Sequence, residues 1–312
     1  MYPFIDWLNM ERRIRNLEYK SFISNDGAKI NYIDEGMGKP VVYIYGIGSS
    51  IASSEIFINV MKEHCRFITF DQRAFGTTPA VGEVGVHQSA RDAKALIEHL
   101  GIEEVTLFGY SMGAACVFSY IQQFGCYKLK KVLIGDMSPK LINEDGWNLG
   151  LYQGHYTREM YNADLKRIKT DYRGFNMLLT EQLMFKNTAN QLRDFSGTEV
   201  EILARIQAKE HNPLILQVLI NGMVNVSEEH QEEIYHYWVT MASADFRPVL
   251  KNITVKTGLL YADPGSAYQP ATAEYMASQI PDNVLLPITG VSHMMSGEKP
   301  VQFRQTIINF VK

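Results

Sequence analysis

The feature that most constrains this chain is an abrupt change from an apolar run to a helical pattern. Val105–Tyr110 is predicted to be a buried strand, and Met112–Phe124 has the spacing of a helix. Only Ser111 separates them, within the sequence Gly-Tyr-Ser-Met-Gly at 109–113. A turn this sharp needs small residues on both sides of the serine and holds the serine in a strained conformation. We interpret Ser111 as a nucleophile. The alternative is a helix N-cap in a nucleotide-binding turn, but no G-x-G-x-x-G or Walker A sequence supports it.

Other apolar runs alternate with helical patterns on both sides of this turn. Runs without polar alternation suit strands that are buried on both faces, and strand–helix alternation implies right-handed crossovers. We therefore predict an α/β fold in which helices flank a mostly parallel central sheet. The strands are predicted at Val41–Tyr45, Arg66–Phe70, Lys131–Ile134, Gly258–Tyr261 and Val284–Pro287, after a hairpin over Tyr19–Asp34, and further helices at His87–Leu100, Ala271–Gln279 and Pro300–Val311.

The strand pattern stops after about Pro139 and resumes near Ile253. The intervening stretch has helical periodicity, at Thr180–Phe185, Glu199–Lys209 and Glu228–Trp238. We predict a sheet core of residues 1–139 and 253–312, with residues 140–252 inserted as a helical cap over the active-site mouth. The alternative is a second, independently folding helical domain. The absence of a Pro/Gly/Ser-rich linker favours the cap.

Composition excludes several classes of partner. The 312 residues carry a formal net charge of −4 without a block of like charge, so no nucleic-acid surface is expected. No run of about 18 apolar residues is present, so no membrane span is expected. The N-terminal stretch lacks a secretory pattern, and the three cysteines have no metal-type spacing. We therefore predict a cytoplasmic protein with reduced thiols and without a metal, whose oligomeric state could be monomer or homodimer.

A serine nucleophile needs a base, because its hydroxyl is a weak nucleophile at neutral pH. Among eight histidines, His293 follows the last strand pattern and precedes the last helix. That position is the loop at the carboxyl edge of a parallel sheet, where such sites assemble. We predict that His293 takes the proton of Ser111 and later transfers it to the leaving group.

Several further motifs resemble those of the α/β-hydrolase superfamily over residues 20–138 and 253–312. The sequence Tyr-Gly-Ile-Gly at 45–48 resembles the family's H-G-x-G loop, and Asp71–Gly76 resembles its D-x-R-G-x-G turn. Ser292-His293, followed by Glu298, Pro300 and Phe303, resembles its histidine loop and final helix. The resemblance implies an oxyanion hole formed by the N–H groups of Ile47 and Met112. It also implies that Asp71 and Arg73 are structural and tie their turn together through an ion pair and hydrogen bonds.

The acid of the triad has two candidates. Most members of the superfamily carry it after the strand that corresponds here to Gly258–Tyr261, where Asp263 lies two positions early and Gly265 occupies the expected place. Asp136 follows the Lys131–Ile134 strand in Gly-Asp-Met-Ser-Pro-Lys, which resembles a D-M-[ST]-P-K motif of a group that has its acid after this earlier strand. That group often has serine in the turn after the later strand, and Ser266 fits loosely. We favour Asp136 and keep Asp263 as the alternative.

The resemblance implies a serine esterase that needs no cofactor and acts on a small acyl substrate. Tyr45, Tyr110 and Trp147 are our candidates for substrate contacts. The same triad could serve a perhydrolase of the haloperoxidase-like group or a C–C hydrolase, since specificity depends on pocket shape. A non-enzymatic small-molecule receptor is a further alternative, which the intact Ser111 and His293 disfavour.

Overall fold

A computed structural model describes residues 17–186, 193–210 and 228–312 of the chain. Its strands form one sheet in the order β1-β2-β4-β3-β5-β6-β7-β8. Strands β3 to β8 are parallel, and β1 and β2 are antiparallel to their neighbours. The strands are β1 (Lys20–Ile23), β2 (Lys29–Glu35), β3 (Pro40–Ile44), β4 (Arg66–Phe70), β5 (Val105–Tyr110), β6 (Leu129–Gly135), β7 (Lys256–Pro264) and β8 (Asn283–Val291).

Helices cover both faces of this sheet and fill the interval between β6 and β7. They are α1 (Glu55–Met61), α2 (Val86–His99), α3 (Met112–Phe124), α4 (Arg158–Thr170), α5 (Tyr172–Met184), α6 (Glu199–Lys209), α7 (Gln231–Ala242), α8 (Pro270–Gln279), α9 (Met295–Glu298) and α10 (Pro300–Val311). Short 3₁₀ segments lie at Ala52–Ser54, Glu228–His230 and Arg247–Asn252. The predicted fold class is confirmed. No described helix is both long and apolar enough to cross a membrane.

The sheet order brings the loops after several strands to one edge. The chain passes from β3 outward to β4, then returns to the other side of β3 as β5. Loops that leave the carboxyl ends of neighbouring parallel strands at such a reversal surround a crevice. Here the loop after β3 carries Gly46 to Gly48, β5 ends before Ser111, β6 ends before Asp136 and β8 ends before His293.

The turn between β5 and α3 depends on two glycines. A Cβ atom added to Gly113 would lie 2.0 Å from the carbonyl oxygen of Ile44 in β3, and one added to Gly109 would lie 2.2 Å from the carbonyl oxygen of Gly113. Both contacts are with backbone, which cannot rotate away as a side chain can. The first turn of α3 therefore lies directly against β3 and β5, and this packing sets the position of Ser111.

The inserted segment (residues 140–252) is anchored to the core at both its ends and along α7. Its ends meet where the Phe246 N–H donates to the Pro139 carbonyl at 2.7 Å. On α7, the Tyr237 hydroxyl donates to the Arg73 carbonyl at 3.1 Å. Side chains of the segment, including Trp238, belong to the same buried cluster as the sheet. This continuity favours a packed cap over an independent domain, although the domain boundaries themselves stay a prediction. Residues 187–192 and 211–227 of the segment lie outside the described residues.

A buried carboxyl group connects two helices of the segment. The Tyr156 hydroxyl donates to Asp164 Oδ2 at 2.7 Å and accepts from Trp238 Nε1 at 3.0 Å. Burial raises the pKa of Asp164 to about 6, and the hydrogen bond from Tyr156 opposes that shift only in part. The segment therefore contains an acid that is costly to ionise.

We predict that Gly113→Ala destabilises the protein by about 1–3 kcal/mol, because the new methyl group overpacks against the β3 backbone. The matched control is Gly297→Ala, where an added Cβ atom meets nothing within 4 Å. The control should change the free energy of unfolding by less than about 0.5 kcal/mol. Urea unfolding of both variants checks this, and equal stabilities would contradict the close approach of strand and helix.

We predict that Asp164→Asn becomes more stabilising, relative to the natural protein, as the pH rises. An acid whose pKa is raised on folding contributes stability that is fully present below its unfolded pKa of about 3.9, and that stability is lost as the pH passes about 6. Asparagine stays neutral and loses nothing. Urea unfolding at pH 4 and pH 8 should show the difference between variant and natural protein growing by about 1–3 kcal/mol. A constant difference would show that Asp164 is not desolvated.

Candidate active site

Ser111 has a backbone conformation that side-chain-bearing residues rarely adopt. Its φ is 56° and its ψ is −128°, at the N-terminus of α3. Its N–H donates to the Gly135 carbonyl at 2.8 Å, which ties the turn to the end of β6. The packing of Gly109 and Gly113 compensates for this strain. The strain in turn directs the serine hydroxyl out of the sheet edge, as a sharp strand-to-helix turn requires.

Three side chains form a continuous hydrogen-bonded chain at this edge. His293 Nε2 lies 2.9 Å from Ser111 Oγ, and His293 Nδ1 lies 2.6 Å from Asp136 Oδ2. The histidine and the aspartate are 4% and 3% exposed, so solvent competes little for these bonds. A carboxylate at Nδ1 favours the tautomer that carries its proton there, which leaves Nε2 free to accept the serine proton. This arrangement can activate a serine hydroxyl.

Asp136 is itself held in place by the neighbouring strand. Its N–H donates to the Leu260 carbonyl at 2.7 Å, and its Oδ1 accepts from the Ala262 N–H at 3.2 Å. One carboxylate oxygen is thus fixed by β7, and the other faces His293. Asp263 is still within β7, paired in register with Thr289, and the structure shows no hydrogen bond from it to His293. The two candidate acids differ in whether they contact His293. Asp136 lies just beyond the end of β6 and reaches the histidine, whereas Asp263 is still within β7.

The backbone of His293 is restrained on both sides. Its N–H donates to Ser266 Oγ at 2.9 Å, and its carbonyl accepts a hydrogen bond from the Tyr110 hydroxyl. Burial raises the pKa of Tyr110 well above its ordinary value, which keeps the hydroxyl protonated and able to donate. We had expected Tyr110 to contact substrate, but its hydroxyl supports the histidine loop instead. Its position beside the nucleophile was the only sequence signal of this role.

The loop after β3 lies directly against the nucleophile. A Cβ atom added to Gly46 would be 3.1 Å from Ser111 Cβ, a tighter contact than most side chains make, so glycine favours this approach. Ile47 and Met112 both line the cavity beside the serine. In the described part of the chain, neither of their N–H groups has an acceptor, and Met112 begins α3, where amides lack intrahelical partners. Two free donors near Ser111 Oγ are what a developing oxyanion needs.

Asp71 and Arg73 stabilise the turn after β4, but they are not paired with each other. Asp71 accepts hydrogen bonds from the Ile51 N–H at 2.7 Å and from the Thr77 N–H at 2.8 Å. Arg73 forms ion pairs with Asp26 and Asp92. Both residues are buried and make contacts that support loops, as expected. The hydrogen bonds of Asp71 and the ion pairs of Arg73 belong to separate networks.

A small apolar cavity lies beside Ser111 and His293. The core contributes Met137, Ala267 and Tyr268 to its wall, in addition to the loop residues named above. The inserted segment contributes six apolar side chains: Leu141, Leu151, Leu179, Leu183, Trp238 and Met241. Its volume is about 20 Å³, which leaves room for little more than one water molecule. The cavity as it stands has no room for a bulkier ligand beside Ser111.

Two further predicted substrate contacts lie away from this cavity. Tyr45 is fully buried in a separate core cluster, with its ring 5.0 Å from that of Tyr43. Trp147 donates from Nε1 to the Lys140 carbonyl at 2.9 Å, and the Arg247 guanidinium lies 5.0 Å from its ring. Neither residue lines the cavity, because alternation along β3 directs Tyr45 to the other face and Trp147 packs at the base of the inserted segment. Over the described ranges, no three His, Cys, Asp or Glu side chains gather as metal ligands would.

Comparison with known proteins identifies the fold family. A family model described as alpha/beta hydrolase fold matches residues 39–300. The non-heme haloperoxidase of Rhodococcus erythropolis is 24% identical over 93% of this chain and 98% of that protein. The bifunctional esterase/perhydrolase of Acinetobacter calcoaceticus is 22% identical, over 93% and 98%. Among solved structures, an esterase from Exiguobacterium antarcticum superposes with a TM-score of 0.76 at 23% identity, covering 94% of this chain and 99% of that one. The chain belongs to the alpha/beta hydrolase fold family.

Proposed function

We propose that this protein is a serine hydrolase that cleaves a carboxylic ester or a related acyl compound. The observation that carries the proposal is the hydrogen-bonded chain from Asp136 through His293 to Ser111 Oγ, with contacts of 2.6 and 2.9 Å. One solved structure that is similar to this chain is an esterase, which supports the same chemistry. A receptor without turnover would have no need of this chain of polar groups.

The reaction proceeds in two halves. Ser111 Oγ attacks the acyl carbon while His293 Nε2 takes the hydroxyl proton, and Asp136 stabilises the imidazolium that forms. The N–H groups of Ile47 and Met112 bind the oxyanion of the tetrahedral intermediate, where each donor is worth about 3 kcal/mol. The intermediate collapses, and His293 gives its proton to the departing alcohol. Water then attacks the acyl-serine with His293 as base, the bond between the acyl carbon and Ser111 Oγ breaks, His293 returns the proton to Oγ, and the free acid leaves.

The cavity indicates an apolar acyl group. Apart from Ser111 and His293, the wall is formed mainly by leucine, methionine and aromatic side chains, and it carries no charged group that could pair with an ionic substrate. Burying an unpaired charge there would be costly, whereas burying methyl and methylene groups is favourable. We propose a short, uncharged acyl chain that enters when the inserted segment opens.

Hydrogen peroxide is a second acyl acceptor to test. Similar proteins are named a non-heme haloperoxidase and a bifunctional esterase/perhydrolase, and both match nearly the whole of this chain. Attack of peroxide on the acyl-serine, in place of water, would release a peracid with the same three residues. The two activities share the acyl-enzyme and differ only in the nucleophile that resolves it.

We expect Ser111→Ala to abolish ester hydrolysis, measured on p-nitrophenyl esters from acetate to octanoate. The loss in kcat should be at least about 10⁴-fold, since the nucleophile itself is removed. Ser119→Ala is the matched control, because Ser119 is also a hydrogen-bonded serine but is fully buried on α3, away from the cavity. Residual activity of Ser111→Ala near that of the control would refute a serine mechanism. Peracid formation in added peroxide, followed in parallel, tests the second acceptor.

We expect Asp136→Asn to lower kcat by about 10³–10⁴-fold, because an asparagine amide stabilises the wrong histidine tautomer. Asp263→Asn makes the same chemical change nearby and should alter kcat less than about threefold, as it leaves the His293 contact intact. Steady-state kinetics on the best ester of the panel decide between them. The reverse order of effects would place the triad acid after β7.

A further inference from the structure

A turn after β7 lies between His293 and the inserted segment. At its centre is Ser266, which is fully buried. Its hydroxyl oxygen accepts a hydrogen bond from the His293 N–H at 2.9 Å and donates its own proton to the Leu183 carbonyl on α5. One hydroxyl group therefore joins the backbone of the histidine to a helix of the inserted segment. Leu183 also lines the cavity beside Ser111, so this helix forms part of the cavity wall.

Two more side chains of the inserted segment hold the same turn. The Arg193 guanidinium donates to the Ser266 carbonyl at 2.7 Å and to Gln153 Oε1 at 3.1 Å. Gln153 in turn donates from Nε2 to the Pro264 carbonyl at 2.8 Å and from its N–H to the Ala267 carbonyl at 2.9 Å. Residues of the inserted segment thus hold the turn at the carbonyls of Pro264, Ser266 and Ala267.

The direction of the Ser266 hydroxyl depends on its contact with the inserted segment. A serine hydroxyl rotates freely unless its proton has a fixed acceptor, and here that acceptor is Leu183. Because the hydroxyl proton points to the Leu183 carbonyl on α5, a lone pair of the oxygen faces the His293 N–H. The inserted segment therefore sets the orientation of the hydroxyl that restrains the His293 backbone N–H.

We propose that Ser266 is a positioning residue that couples the inserted segment to the placement of His293. The inference rests on the proposed serine hydrolase function and extends it to a residue that the triad chemistry does not require.

The test compares Ser266→Ala with Ser266→Thr, using steady-state kinetics on a p-nitrophenyl ester and the rate at which a fluorophosphonate labels Ser111. We expect Ser266→Ala to lower kcat and the labelling rate by up to about 100-fold, because a displaced histidine misaligns the reacting atoms. KM should change less than about threefold, since Ser266 does not line the cavity. Ser266→Thr keeps a hydroxyl and should restore most of kcat. Wild-type kinetics in Ser266→Ala would overturn the inference.

Arg193→Gln tests the coupling without touching the hydroxyl. It removes the guanidinium bond to the Ser266 carbonyl and should lower kcat in the same direction. If both residues act through one path, the double variant Ser266→Ala/Arg193→Gln should be no slower than Ser266→Ala alone. Multiplied effects, or an unchanged kcat in Arg193→Gln, would show that the inserted segment does not act through this turn. Should Ser266→Ala fail to fold, the Arg193→Gln kinetics alone still decide the coupling.

Ser119→Ala again serves as the control for loss of a buried serine hydroxyl, and its kcat should stay near that of the natural protein. The labelling assay also separates the two proposals. A natural protein that neither hydrolyses the ester panel nor reacts with the fluorophosphonate overturns the serine mechanism, and with it the coupling. A natural protein that is labelled, with Ser266→Ala labelled equally fast, overturns only the coupling.

Discussion

The close approach of α3 to the centre of the sheet is the constraint on which the rest of the site depends. Gly113 lies so near the β3 backbone that an added Cβ atom would be 2.0 Å from the Ile44 carbonyl oxygen. This approach forces the chain to reverse within one residue, which places Ser111 at a φ of 56°. Once the serine is there, loops from β3, β6 and β8 reach it because parallel strands end at the same edge. The strain is local, and the large sheet core around it can compensate for it.

The site is assembled from backbone restraints as much as from side chains. His293 is held at its N–H by Ser266 and at its carbonyl by Tyr110, and Asp136 is held by β7. Preorganisation of this kind reduces the rearrangement needed when charge develops during the reaction. The restraint by Ser266 differs from the others because its partner, Leu183, belongs to the inserted segment. The proposed triad and the inserted segment that lines the cavity are therefore connected in one hydrogen-bond network.

Prediction from sequence succeeded where local pattern and burial agree. Each predicted strand is present, because continuous apolar runs between helices have few other stable arrangements. Strands β6 to β8 extend further than predicted, since their ends include polar residues such as Asp263. The substrate contacts were less predictable. Tyr45 points to the opposite face of the sheet, and Trp147 is engaged with Lys140 and Arg247. Which face a side chain occupies depends on register, and a motif match does not supply that register.

The sequence alone was sufficient to place Ser111 between a strand and a helix, because the apolar run, the two glycines and the helical spacing are all local properties. It also indicated His293 from its position between the last strand and the last helix. Two questions needed the tertiary structure: which carboxylate faces His293, and which residues hold the histidine loop. Asp136, Ser266 and His293 are far apart in the chain, and their contacts depend on the order and lengths of β6, β7 and β8. Distances between such residues follow from the packing of the whole sheet, which no short stretch of sequence contains.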